Sequence, residues 1–301
     1  MKAIALGVIV LALGGGSARS PRIASCPVFP PDNPWNQRVD KLPVASNSTA
    51  IIDSIGADTG LHPDFGSGLW DGAPIGIPIT VVGAGVPRSR VSFDYADESD
   101  PGPYPIPANV KLEGGSDRHA LILDSSTCKL YELYSLQRAG TGWHAGSGAI
   151  WSLRSNRVRP AGWTSADAAG LPILPGLVRW SDIAQGHIDH AVRFTVERTR
   201  HAYIYPARHY ASDLTGANLP PMGTRVRLRA DYPIAGFPPQ ARIVLAALKT
   251  YGMIVADNGT SWYITGEPSS HWSNDDLHTL GRVPGSAFEV VNTASLRPHS
   301  K

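Results

Sequence analysis

Turn residues punctuate this chain too often for long helices, with 31 glycines and 26 prolines among its 301 residues. Glycine weakens a helix interior through its backbone freedom and proline through its missing N–H. The elements between them must therefore be short. Charged residues make up 17%, below the quarter usual in globular proteins. Many short strands joined by tight turns satisfy both facts. We expect an all-β fold, a two-sheet β sandwich with the jelly roll as its nearest named form, and a few peripheral helices.

Alternating or β-rich runs predict strands over 75–82, 90–95, 119–124, 129–134, 191–197, 202–205, 224–230, 253–256 and 262–265. Residues 125–128 read as a four-residue hairpin turn and 257–259 as a second turn. Helices are expected over 46–55, capped by Ser46 or Asn47, over 238–251 and over 275–280. In the second of these, Ile243, Leu245, Ala246, Leu248 and Tyr251 form the expected apolar band.

At the N-terminus Lys2 precedes an apolar run over 3–13, and small residues follow it. That run is too short to span a bilayer, which takes roughly 20 residues, and it has the form of an export signal over 1–20 with cleavage between about 20 and 25. The remaining chain, 26–301, reads as one β-rich body with an extended, proline-rich lead-in over 27–45. It is expected outside the cell, with no membrane span and as a monomer. The two cysteines, Cys26 and Cys128, are then expected as a disulfide closing a loop of about 100 residues. A net charge of +2 with scattered Lys and Arg argues against a nucleic-acid partner.

Four stretches carry a resemblance: DRHALILD (117–124), RPAGWTSADAAGLPILPGLVR (159–179), HIDHAVRFT (187–195) and YGMIVADNG (251–259). They are similar to a family of secreted bacterial proteins. The resemblance implies secretion and a single-body architecture, and brings no activity, cofactor or substrate with it.

Nucleophile-elbow, zincin, P-loop and dinucleotide signatures are absent. The acidic loop residues Asp94, Asp97, Glu98 and Asp100 lack EF-hand spacing. No cofactor is expected, with Ca²⁺ on that loop as the one ion left open. Polar residues in apolar or glycine-rich surroundings are the candidate catalytic groups. Glu132 lies within Leu130–Tyr134, where apolar neighbours raise a carboxyl pKa and suit it to general-acid work. Asp167, Asp189, His190 and His119 complete the catalytic set. Arg193, Arg208, His209 and Asp257 are candidate binding residues, and the tryptophans 143, 151, 163, 180, 262 and 272 are candidates to stack on sugar rings, above all Trp151, Trp163 and Trp262.

An exported β protein with this inventory points to extracellular polysaccharide. A glycoside hydrolase is the first expectation, with Glu132 and Asp167, Asp189 or Asp257 as its carboxyl pair. A polysaccharide lyase, with His or Tyr as base and Arg193 against a uronate, is the second. A non-catalytic glycan- or wall-binding protein is the third.

Overall fold

The computed structural model describes residues 20–296. The expected export signal falls almost wholly outside them. Strand residues outnumber helical ones, 28% against 17%, so the chain is β-rich with few helices. Two sheets dominate. The first has four strands in the order Ser147–Ser152, Lys129–Tyr134, Ala120–Asp124, Ile79–Val82. The second has six, in the order Phe288–Val290, Arg225–Leu228, Met253–Asn258, Val192–Val196, Tyr263–Thr265, His62–Asp64.

Every residue of Ala120–Asp124 is buried, because both faces of the four-stranded sheet are covered. Leu121, Leu123, Leu130, Ala149 and Trp151 join the principal core shared with the six-stranded sheet. Ala120, Ile122, Tyr131 and Leu133 pack instead with Tyr104 and Trp143, beneath a small sheet of Val91–Phe93, Gly142–Ala145 and Gln137–Ala139. A strand buried on both faces reads as a continuous apolar run. Glu132 shares the core-facing side with Leu130, which decides its surroundings.

Pairing is mixed. Ile79–Val82 runs parallel to Ala120–Asp124, Val192–Val196 parallel to Met253–Asn258, and Tyr263–Thr265 parallel to His62–Asp64. An antiparallel jelly roll has no such pairs. The strand Met253–Asn258 also runs through Asp257 and Asn258, where a turn was expected. Sequence reading also passes over Ser147–Ser152, His62–Asp64, Phe288–Val290 and the helix Trp180–Gln185.

The helix Pro239–Thr250 buries Ala241, Val244, Leu245 and Leu248, the i, i+3, i+4, i+7 spacing of one helix face. The expected band is displaced: Ala246 is exposed, and Ile243 and Tyr251 are half-buried. Ser48–Ile55 starts after Asn47, and Asn274–His278 starts at Ser273, whose hydroxyl accepts from the Asp276 N–H.

Two side-chain contacts stand out among those that tie the N-terminal segment to the body. Arg225 is almost fully buried, and its guanidinium donates to the carbonyls of Pro34, Gln37 and Tyr251. Burial without a carboxylate partner pushes its pKa down, to about 9. The second is the Cys26–Cys128 disulfide, with Cα atoms 5.4 Å apart and a sequence separation of 102. A loop of this length is worth about 4 to 5 kcal/mol in the chain-entropy model. The double variant Cys26→Ser/Cys128→Ser should lose stability of that order in urea denaturation, and an unchanged midpoint would show that the bridge carries no weight.

Candidate functional site

Arg193 projects from the middle of the six-stranded sheet, where only 5% of it is exposed. A charge in such a place needs partners, and the guanidinium finds four acceptor atoms on three residues. Nε and Nη2 donate to the two carboxylate oxygens of Asp167 at 2.7 and 2.8 Å. Nη1 donates to Thr265 Oγ1 at 2.6 Å, and Nη2 also points at Asp257 Oδ2, 3.4 Å away. Burial opposes the Arg193 charge, but the carboxylates of Asp167 and Asp257 more than offset it and raise its pKa. Asp167 is fully buried, and its loop is folded around Ser165, whose Oγ donates to Leu171 O and accepts from the Asp167 N–H.

One cation faces two carboxylates here, and it serves Asp167 with two bonds. Asp257 is left with the weaker contact. Burial, then the negative charge of Asp167, push the Asp257 carboxyl up to about 7. Its side chain keeps an exposed edge of 24%.

His119 adds a second cation. Its Nδ1 lies 2.5 Å from Glu113 Oε2 and its Nε2 lies 2.9 Å from the Ala166 carbonyl. Both partners are acceptors, so both ring nitrogens carry protons. Burial would lower its pKa, yet the bond to Glu113 and that residue's charge win and hold it at about 9. With no free lone pair, His119 has no means of acting as a base. Asp64, opposite Thr265 in the strand pairing, is raised by burial and then by the charge of Glu113.

Glu132, expected as the general acid, is 0% exposed. Its oxygens accept from the N–H groups of Ile173 and Leu174 and from the Trp151 indole. Burial still raises it to about 7 against those donors. It lines neither of the cavities described next. It anchors the 173–174 segment.

Two cavities open onto the cluster. The first, about 470 Å³, is lined by Tyr95, Glu98, Asp117, Tyr134, His209 and Asp257, among others. The second, about 600 Å³, is lined by His62, Asp64, Trp70, Glu113, Tyr263 and His278, among others. They approach each other at Glu113, Asp117 and His119, whose ligand atoms all lie within 4.8 Å of one another. Among the described residues this trio is the one grouping with the spacing of a cation site. Both His119 nitrogens are already engaged, so a metal there has to displace Glu113 or the Ala166 carbonyl. The acidic loop on which Ca²⁺ was left open disperses its carboxylates: Asp94 meets His144, Asp100 meets Arg159, and Glu98 accepts from the Thr164 N–H.

Of the residues singled out in the sequence, His119, Glu132, Asp167, Arg193 and Asp257 converge, and His209 joins them from the first cavity. His209 holds its Nδ1 on the Ala168 carbonyl, while its Nε2 lies 3.8 Å from Glu98. Others lie elsewhere. Asp189 pairs with the exposed His187. His190 is buried with Asp182, which Arg179 also contacts, and burial and then the Arg179 charge lower its pKa. Arg208 donates to the Arg159 carbonyl. Trp262 is fully buried between Phe194 and Phe288 and donates to Gly56 O, so it has no face for a sugar. Trp151 is likewise core. Trp163 is half-buried against Arg159.

Sequence reasoning missed Asp64, Glu113, Asp117 and Trp70. The Asp71-Gly72 pair after Trp70 is a hairpin-turn signal by which the last of these could have been found. Comparison with protein-family models, curated proteins and solved structures finds no match.

The titrations fix a sign for stability. His119 keeps its proton to about 9 in the folded state and to roughly 6.5 when unfolded. Its contribution is therefore complete below about 6.5 and is lost as pH rises through 9. Urea-derived stability should fall by on the order of 3 kcal/mol across that window. His119→Gln should lose that share of the fall, most cleanly between about pH 8 and 9, above the titration of Asp257 and Glu132 near 7, and an equal slope in that variant would remove His119 as its source.

Proposed function

We propose that this chain is a secreted glycoside hydrolase acting on an extracellular polysaccharide. Its two sheets form the layers of a sandwich, and the glycan lies along their seam. The observation that carries this reading is Asp257, a carboxyl with one edge on an open cavity, whose pKa burial and the Asp167 charge raise to about 7. Asp117 and Glu98 line the same cavity, beside Tyr95 and Tyr134.

In this mechanism Asp257 donates its proton to the leaving glycosidic oxygen as the C–O bond breaks. The charge left on Asp257 then meets Arg193 Nη2 and the His119 imidazolium. Asp117 supplies the second carboxylate, as nucleophile or as base for the attacking water, according to its separation from Asp257. Glu98, whose Oε2 accepts from the Thr164 N–H, is the alternative second carboxyl on the same cavity. The lyase reading loses two of its named groups: His119 offers no lone pair, and Arg193, the expected uronate partner, is engaged by Asp167.

Asp257→Asn should retain glycan affinity and lose about 10² to 10⁴ in turnover, the usual worth of general acid catalysis, and Asp117→Asn should lose comparably. Turnover of the parent protein should fall as pH rises through about 7 and Asp257 ionises. Reducing-end assays on a panel of polysaccharides check all three. Full activity in Asp257→Asn would exclude it as the acid, and glycan binding with no product from any polysaccharide would leave a non-catalytic binding protein.

A further inference from the structure

Two large aromatic side chains are exposed among the described residues, Trp70 at 79% and Tyr95 at 54%. Each lines one of the two cavities. Trp70 stands at the tip of a hairpin formed by Leu69–Trp70 and Ala73–Pro74. Asp71 and Gly72 make its turn with φ of 49° and 78°, the left-handed pair that tight hairpins use. Leu69 beside it is 66% exposed. An indole held this far into water costs free energy with no return in packing, since burying an aromatic is a main source of stability.

Beneath the hairpin the cavity floor carries His62 and Tyr263, stacked with ring centroids 4.0 Å apart. Around them lie Asp64, Asp71, Glu113 and Asn274. These are hydrogen-bond acceptors and amides close to flat rings, which is what the alternating polar rim and apolar face of a sugar ring need. No lysine or arginine lines either cavity, whereas Asp71 and Glu113 line one and Glu98 and Asp117 the other, beside Asp64 and Asp257, whose pKa values are raised. A polyanion is repelled by that lining.

We propose that the Trp70 cavity is a sugar-ring subsite of the same cleft, that Trp70 stacks on one ring of the chain as it leaves the Asp257 cavity, and that the glycan it takes bears no acidic groups. The inference rests on the glycan-hydrolase reading, which it extends to a substrate class. Asp64 and Glu113 then accept hydroxyl protons of the stacked residue. Because the two cavities meet at Glu113 and Asp117, the subsite serves oligosaccharides long enough to reach both and leaves short ones indifferent to it.

Trp70 reports on its own occupancy, since the other tryptophans are buried or half-buried. Titrating the full chain with cellohexaose, laminarihexaose, maltohexaose and the N-acetylglucosamine hexamer should give a blue shift of indole emission with at least one of them. That shift should be absent in both Trp70→Ala and Trp70→Tyr, while Trp70→Tyr should keep an affinity close to the parent's, read by calorimetry. Trp70→Ala should weaken the binding hexamer at least tenfold and leave the matching disaccharide unchanged. Hexagalacturonate should neither bind nor shift the emission.

A hexamer that shifts the emission but is never cleaved upholds the subsite while the hydrolase reading fails. Cleavage of a neutral hexamer with unchanged emission, and with the same KM in Trp70→Ala, overturns the subsite and leaves the hydrolase reading standing. Preferential binding of hexagalacturonate overturns the charge argument, and binding of no hexamer at all overturns the subsite.

Discussion

The buried pair of Arg193 and Asp167 is the interaction on which the rest of this site depends. Taking two charges out of water costs several kcal/mol for each ion, and only near-ideal geometry with the remaining donors satisfied offsets it. Here the carboxylate receives two N–H groups, and Thr265 takes a third. The guanidinium is thereby committed, and Asp257 at its edge is left under-compensated. A second carboxylate near one cation holds its proton more readily. The fold thus keeps an acidic proton at a cavity wall by placing one positive charge between two negative ones.

Close backbone packing makes that arrangement possible. Gly176 lies between Trp35 of the lead-in and Arg193; a Cβ there would sit 2.6 Å from the indole and 2.7 Å from the Arg193 Cβ. A side chain at 176 would push the strand and the lead-in apart. The lead-in is in turn held by Arg225 and by the disulfide to the 125–128 turn. Glu132 pins the 173–174 segment from the opposite sheet. These contacts join residues remote in sequence, so the cluster forms only when both sheets are docked.

The parts of the fold that were legible in the sequence have local causes. The strand 129–134 has the expected limits because its alternation and the four-residue turn before it are self-contained signals. The cysteine pairing follows from there being two. The three-residue strands 62–64 and 288–290 exist only through their neighbours and leave no pattern. Ser147–Ser152 opens on serine and glycine, and Gly148 is required because a Cβ would meet the Tyr104 hydroxyl at 2.5 Å. For the site, polar residues within apolar runs identified His119, Glu132, Asp167, Arg193 and Asp257, yet not their roles. Whether a buried carboxylate is an acid or an anchor depends on which N–H groups face it, and those of Ile173 and Leu174 lie about 40 positions from Glu132.

The sharpest measurement is the titration of Asp257 itself by carboxyl ¹³C NMR, with Asp257→Asn to assign the resonance. If one guanidinium is shared unequally between Asp167 and Asp257, that resonance should titrate near 7. An Asp257 midpoint in the ordinary carboxylate range, about 4, would contradict the shared-cation arrangement and with it the choice of Asp257 as the acid.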